Sequence, residues 1–202
     1  MNPIACASAM PRIDRASLMS LETYARERTQ FRAKVMAHKK DRSVPLGEHV
    51  TLLFEDELTI HYQVQEMLRV ERIFEEQGIQ EELDAYNPLV PDGRNLKATL
   101  MVEYPDPDER RKKLEGLIGI EDKTWVQVQA HGRVWAIADE DLDRENEEKT
   151  SSVHFLRFDL TEDMAKALKN GASLTMGIDH PHYAATLEAL PAVRDSLARD
   201  LA

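Results

Sequence analysis

Cysteine is nearly absent: the 202-residue chain holds one, Cys6. A single thiol forms no internal disulfide and builds no cysteine-rich zinc or iron site. No cation stands near it in sequence to lower its pKa, so a redox-sensing thiol has little support. Long apolar runs are missing too, and nothing approaches the ~20 residues of a membrane span. The apolar stretch from Ile4 to Met10 is too short and too weakly flanked for a signal peptide. A cytoplasmic protein without a membrane partner is the expectation. The chain has no GxGxxG or Walker loop, no HExxH, no GxSxG and no EF-hand loop. Positive charge is in deficit, with 26 Lys+Arg against 37 Asp+Glu and a net charge of −11. That balance argues against a general nucleic-acid binder, because phosphate binding needs clustered Lys and Arg.

What is present suits a folded domain. Hydrophobic residues make up 42 % of the chain, and a domain of roughly 150 residues hides about two-thirds of its surface on folding. The charge is unevenly placed. Residues 1–47 hold nine basic and four acidic side chains, 9 − 4 = +5. Residues 48–202 hold 17 basic and 33 acidic ones, 17 − 33 = −16. A basic arm before an acidic body is either a partner-binding device or a segment that lies against its own body or a second copy of it, as in a homo-oligomer.

The element pattern predicts an α+β fold. An antiparallel sheet of five or six strands is covered by helices and preceded by an N-terminal helical arm. Residues 1–19 read as a flexible tail, 20–183 as one domain and 184–202 as a C-terminal helical tail. Ser20 is an N-cap for a helix from Leu21 to about Lys40, rich in Arg28, Arg32, Lys39 and Lys40. His49–Glu55 is a strand. One long helix is expected from about Glu57 to Gln77, stopped by Gly78, with a second short helix over Ile79–Tyr86. Asn87–Asn95, with two prolines and a glycine, is a loop. Leu96–Tyr104 is a strand, and Asp106-Pro107 starts a helix. Trp125–Asp139 reads as a hairpin with its tip at His131-Gly132, and 139–149 as a polar surface excursion. Val153–Asp159 and Ser173–Asp179 are strands either side of a helix capped by Thr161. From Ala184 onward the chain reads as helix, broken at Pro191.

Two groups of residues could carry chemistry. On the helix around Glu66, His61, Gln65, Arg69 and Arg72 share one side, with Tyr62 and Glu66 beside them. Arg69 could orient a carboxylate or phosphate while Glu66 acts as base or ligand. The same spacing is that of ordinary ion pairs on a solvated helix. The Asn87–Asn95 loop adds Asp92, Arg94 and Asn95 as candidate pocket residues. The second group is Asp179-His180-Pro181-His182-Tyr183, where two imidazoles and a carboxylate form part of a metal-ligand set. Candidate metal ligands are His61, Glu66, His154, His180 and His182. No complete ligand spacing is present, so the identity of any metal ion is open.

The run TLLFEDELTIHYQVQEMLRVERIFEEQGIQEELDAYNPLVPDGRNLKATLMVEYPD resembles the signature stretch of an uncharacterised bacterial family of unknown function. The stretches WVQVQAHGRVWAIADED and KTSSVHFLRFDLTEDMAKALKNGASLTMGIDHPHY are similar to it as well. The resemblance runs from about Ser20 to Tyr183. It implies a small cytoplasmic protein encoded near rubrerythrin-like and iron–sulfur oxidoreductase-like proteins, hence a redox or peroxide-defence setting, and it assigns no catalytic residue. Two readings stand. In one, the chain is an accessory or interaction protein of such redox partners. In the other, it is a metal- or small-ligand-binding enzyme whose site joins the Glu66 helix, the Asn87–Asn95 loop and the Asp179–His182 segment.

Overall fold

Alternation of apolar and polar residues every second position buries one face of the longer strands, as along the β-forming runs 50–55 and 153–159. In the computed structural model, which describes residues 12–138 and 150–202, nine strands form two antiparallel sheets. They are β1 (Ser43–Pro45), β2 (Val50–Glu55), β3 (Asn95–Val102), β4 (Thr124–Val128), β5 (Arg133–Trp135), β6 (Ile137–Ala138), β7 (Val153–Asp159), β8 (Leu174–His180) and β9 (Tyr183–Glu188). One sheet has the order β1-β2-β3-β7-β6 and the other β5-β4-β8-β9. The single expected sheet is thus two. β5 pairs with β4 and β6 with β7, so the chain crosses from one sheet to the other at Ala136. The opposite ends are tied by Tyr183, whose hydroxyl donates to the Leu46 carbonyl at 2.6 Å and accepts from the His49 N–H at 3.1 Å. Gly47 in this turn has φ of +76°, and a Cβ there would stand 2.6 Å from the Tyr183 hydroxyl, so the position needs glycine.

The inner faces of both sheets share one core, which includes Leu52, Phe54, Leu100, Val126, Phe158, Met176 and Ile178. Helices α4 (Pro107–Glu115), α5 (Glu162–Lys169) and α6 (Pro191–Ala198) add Leu114, Leu168 and Leu197 to it. A second cluster lies among α1 (Leu21–Lys39), α2 (Glu57–Val70) and α3 (Glu76–Tyr86) and contains Ile60, Val64, Leu68, Ile79 and Leu83. Ile13 and Leu18 are buried in it, so the chain is anchored before α1 begins. Capping follows the sequence signals: Ser20, Asp106 and Thr161 each accept a backbone N–H at the start of a helix.

Two expectations are corrected. The long helix from Glu57 to Gln77 is two helices. α2 ends at Val70, Arg72 takes φ of +56°, and the Ile73 N–H returns to the Leu68 carbonyl at 2.9 Å. That is a Schellman stop with arginine where glycine is favoured, and Gly78 lies inside α3 instead of ending a helix. Replacing Arg72 with glycine should therefore stabilise the protein by about 1 kcal/mol in urea titrations, since glycine adopts the left-handed region without a Cβ clash. The second correction is that residues from Tyr183 to Glu188 form β9, not helix. Pairing with β8 across the two-residue turn Pro181-His182 overrides the helical bias of Ala184 and Ala185. Cys6 and the excursion at 139–149 lie outside the described residues.

Candidate functional site

The α1–α2 seam gathers the first set of expected residues, and it ties two helices together. Glu66 is pinned from three sides. Arg28 grips its carboxylate through Nε and Nη2 at 2.7 and 2.8 Å, the Tyr24 hydroxyl donates at 2.5 Å, and Arg69 approaches to 3.4 Å. The bidentate arginine holds the Glu66 carboxyl down at about 2, outweighing the upward push of burial. Burial, and then the adjacent Glu66, raise the Tyr24 hydroxyl above its ordinary range. Gln65 is fully buried and accepts the Met19 N–H at 2.6 Å, fixing the approach to α1. Tyr62 packs its ring on Phe31, with centroids 6.0 Å apart, and the Lys39 Nζ lies over the Tyr62 ring, 5.9 Å from its centroid. His61 lies edge-on to the same phenyl ring. Its buried Nε2 has no hydrogen-bond partner, and burial lowers its pKa.

The Asn87–Asn95 loop bonds to itself and to the two ends of the described chain. Asp92 accepts the Arg94 N–H at 2.9 Å, and buried Asn95 accepts the Asp92 N–H at 3.2 Å. Asn87 bonds both the N–H and the carbonyl of Ile13. Gly93 receives the Ala202 N–H at 2.8 Å. The Arg94 side chain is exposed.

The histidines are engaged in separate places. His154 is buried on β7, 2.9 Å from the Thr150 hydroxyl and 3.7 Å from the Glu121 carboxylate. His180 spans the β8–β9 turn: its Nδ1 accepts the His182 N–H at 3.2 Å and its Nε2 reaches the Ile118 carbonyl at 3.0 Å. Those two bonds select the Nε2–H tautomer. The His182 ring lies 5.8 Å from that of His180 and is exposed, while Asp179 pairs with Arg133. Among the described residues, no group of three or more His, Cys, Asp or Glu side chains is placed to hold a metal ion. The Glu66 helix, the Asn87–Asn95 loop and the Asp179–His182 turn are bonded to three different parts of the fold. A cleft of about 470 Å³ beside α5 and α6 is lined by Leu168, Lys169, Asp195, Ala198, Arg199 and Leu201, none of them expected from the sequence.

Sequence reasoning missed a charged cluster around Arg42, which is only 1 % exposed. Its guanidinium donates to the carbonyls of Phe54 and Glu55 at 2.9 Å and to both carboxylate oxygens of Asp200 at 3.2 and 2.5 Å. It also lies 3.5 Å from Asp56, which caps α2 and meets His38 Nε2 at 2.5 Å. Burial would raise the Asp56 carboxyl, but Arg42, the Thr59 N–H and His38 outweigh it and hold it low. Burial dominates at Asp200 and pushes its carboxyl up to about 6. Residues 38, 42, 56 and 200 share no local spacing. The one signal in the sequence was Asp56 at a helix start.

The basic arm divides cleanly. Arg12 pairs with Asp84, Arg15 with Glu76, Arg26 with Glu22, Arg28 with Glu66, and Arg42 with Asp200. The remaining four cations of the arm, Arg32, Lys34, Lys39 and Lys40, fall within nine residues at the end of α1. That stretch has no acidic residue, and none of the four makes an ion pair among the described residues. Arg32, Lys34 and Lys40 are exposed.

A family model described as "Protein of unknown function (DUF3501)" matches residues 12–201. A crystal structure of a novel protein of unknown function from Burkholderia pseudomallei superposes with a TM-score of 0.91 at 55 % identity, covering 95 % of this chain and 100 % of that one. No curated protein matches.

Proposed function

The chain belongs to the DUF3501 family of proteins of unknown function, and from that premise we propose that it is an accessory protein that docks an acidic partner on the end of α1. The observation that carries this reading is the set of four unpaired cations, Arg32, Lys34, Lys39 and Lys40, on a chain of net charge −11. Acids of the body, and Glu22 within the arm, already pair with the other basic residues of the arm; Arg32, Lys34 and Lys40 are left exposed, and Lys39 lies over the Tyr62 ring. A positive patch on a negative protein directs encounter with a complementary surface and repels copies presented the wrong way round. The expected residues of the Glu66 helix and the Asn87–Asn95 loop support the same reading, because most are committed to bonds that hold the fold.

The partner class proposed is a rubrerythrin-like or iron–sulfur oxidoreductase-like protein, on the strength of the redox or peroxide-defence setting that the sequence resemblance implies. Pull-down with such proteins should give a complex that weakens steadily as salt is raised. The triple variant Arg32→Glu, Lys34→Glu, Lys40→Glu should abolish it while leaving the melting curve unchanged, since all three side chains are exposed. Absence of binding at every ionic strength, or binding indifferent to the charge reversal, would remove the proposal.

A further inference from the structure

β9 forms one side of the four-stranded sheet, and among the described residues no strand other than β8 pairs with it. Which of its backbone groups are free follows from the ladder. The Ala189 N–H donates to the Leu174 carbonyl at 2.8 Å, in the same register that sets Leu187 against Met176 and Ala185 against Ile178. Bonded and non-bonded pairs alternate along antiparallel strands. Tyr183, Ala185 and Leu187 therefore bond β8, and the N–H and C=O groups of Ala184, Thr186 and Glu188 point away from it. None of these outward groups has a hydrogen-bond partner among the described residues.

Such an edge is a template for another strand unless it is short, charged, bulged or broken by proline. Two other strands at sheet margins are protected: β1 has three residues and ends in Pro45, and β5 has three. β9 has six, carries no proline or lysine, and reaches its first charge at Glu188. Leu187 is 40 % exposed on it.

We propose that β9 pairs antiparallel with β9 of a second copy of this chain, joining two four-stranded sheets into one. The strand is complementary to itself. A two-fold axis at Ala185 sets Ala184 against Thr186 of the second copy, so that outward N–H and C=O groups meet their counterparts. It also sets exposed Leu187 against the second copy's Tyr183. At each end Glu188 comes opposite His182 instead of another carboxylate. From Tyr183 to Leu187 the row is uncharged in a chain of net charge −11, so two copies meet here without opposing like charges. This pairing makes no use of the basic end of α1 and stands or falls apart from the docking reading.

Sedimentation equilibrium of the full chain over a concentration series should resolve a two-copy species. Thr186→Pro should eliminate it while the far-UV spectrum and melting temperature hold, because that substitution removes an outward donor that the β8 ladder does not use. Leu187→Lys keeps every backbone donor and should weaken pairing by about tenfold or more. Should the proline variant fail to fold, the lysine variant decides alone. A wild-type chain that stays single at its highest soluble concentration, or a two-copy species with the same dissociation constant in the folded variants, would overturn the inference.

Discussion

Replacing Arg42 with alanine is expected to cost ~3–5 kcal/mol in a urea titration, because it strands buried carboxylates without their cation. That is a large fraction of the 5–15 kcal/mol that holds a typical domain together. Arg42 links the entry to β1, the start of α2 and the residues after α6. The loss should also depend on pH. Asp200 has a carboxyl pushed from 3.8 up to about 6 by burial. A group whose folded pKa is raised gives its stabilisation fully below the unfolded value and loses it as pH rises through the folded one. Relative to an Asp200→Asn variant, wild-type stability should thus fall by ~2 kcal/mol between pH 4 and pH 7. The Arg42→Ala penalty should be smaller below pH 6 than above it, since protonated Asp200 no longer needs the guanidinium. Parallel pH curves for wild type and Asp200→Asn would show that Asp200 keeps its charge throughout and would refute this account.

Removing Glu66 should have the next largest effect. Glu66→Ala is expected to cost ~2–4 kcal/mol, from the lost bidentate pair with Arg28 and the Tyr24 hydroxyl left without its acceptor. Glu66→Gln should cost less, because an amide oxygen still accepts one of those bonds. The carboxyl is held at about 2, below its ordinary 4.5. Its stabilisation is therefore present above pH 4.5 and fades only as pH falls toward 2, so the wild type and Glu66→Gln should differ most near neutral pH and converge in acid. The same depressed pKa makes Glu66 a poor proton acceptor at neutral pH. Thermal melts of the three proteins decide the matter, and an alanine variant that melts like wild type would show that the seam holds nothing together.

Elements whose cause is local were legible in the chain. Ser20, Asp106-Pro107 and Thr161 announced helix starts because a cap needs only its own side chain and the next turn. The alternation in β2, β3 and β7 announced strands, because one face of each meets the core. Elements whose cause is distant were not. Arg72 ends α2 in a conformation that favours glycine, since the packing of α3 on α2 outweighs a cost of about 1 kcal/mol. Ala184-Ala185-Thr186 is a weak strand by composition and becomes one by bonding β8. The candidate site followed the same division. Spacing placed Glu66 and Arg69 together, but gave no warning that Arg28, on another helix, would claim the carboxylate.

The deficit of positive charge and the near-absence of cysteine were settled by the residues alone. So were the α+β class and the division into a +5 arm and a −16 body, because composition and short-range periodicity require no knowledge of what lies across the core. Only the tertiary structure decided which cations were spent. It paired Arg12, Arg15 and Arg28 with acids on α2 and α3, buried Arg42 between residues 56 and 200, and left the last four at the end of α1 unpaired. Ion pairing depends on separations of a few ångströms, and residues far apart in sequence reach such separations only when the chain has folded.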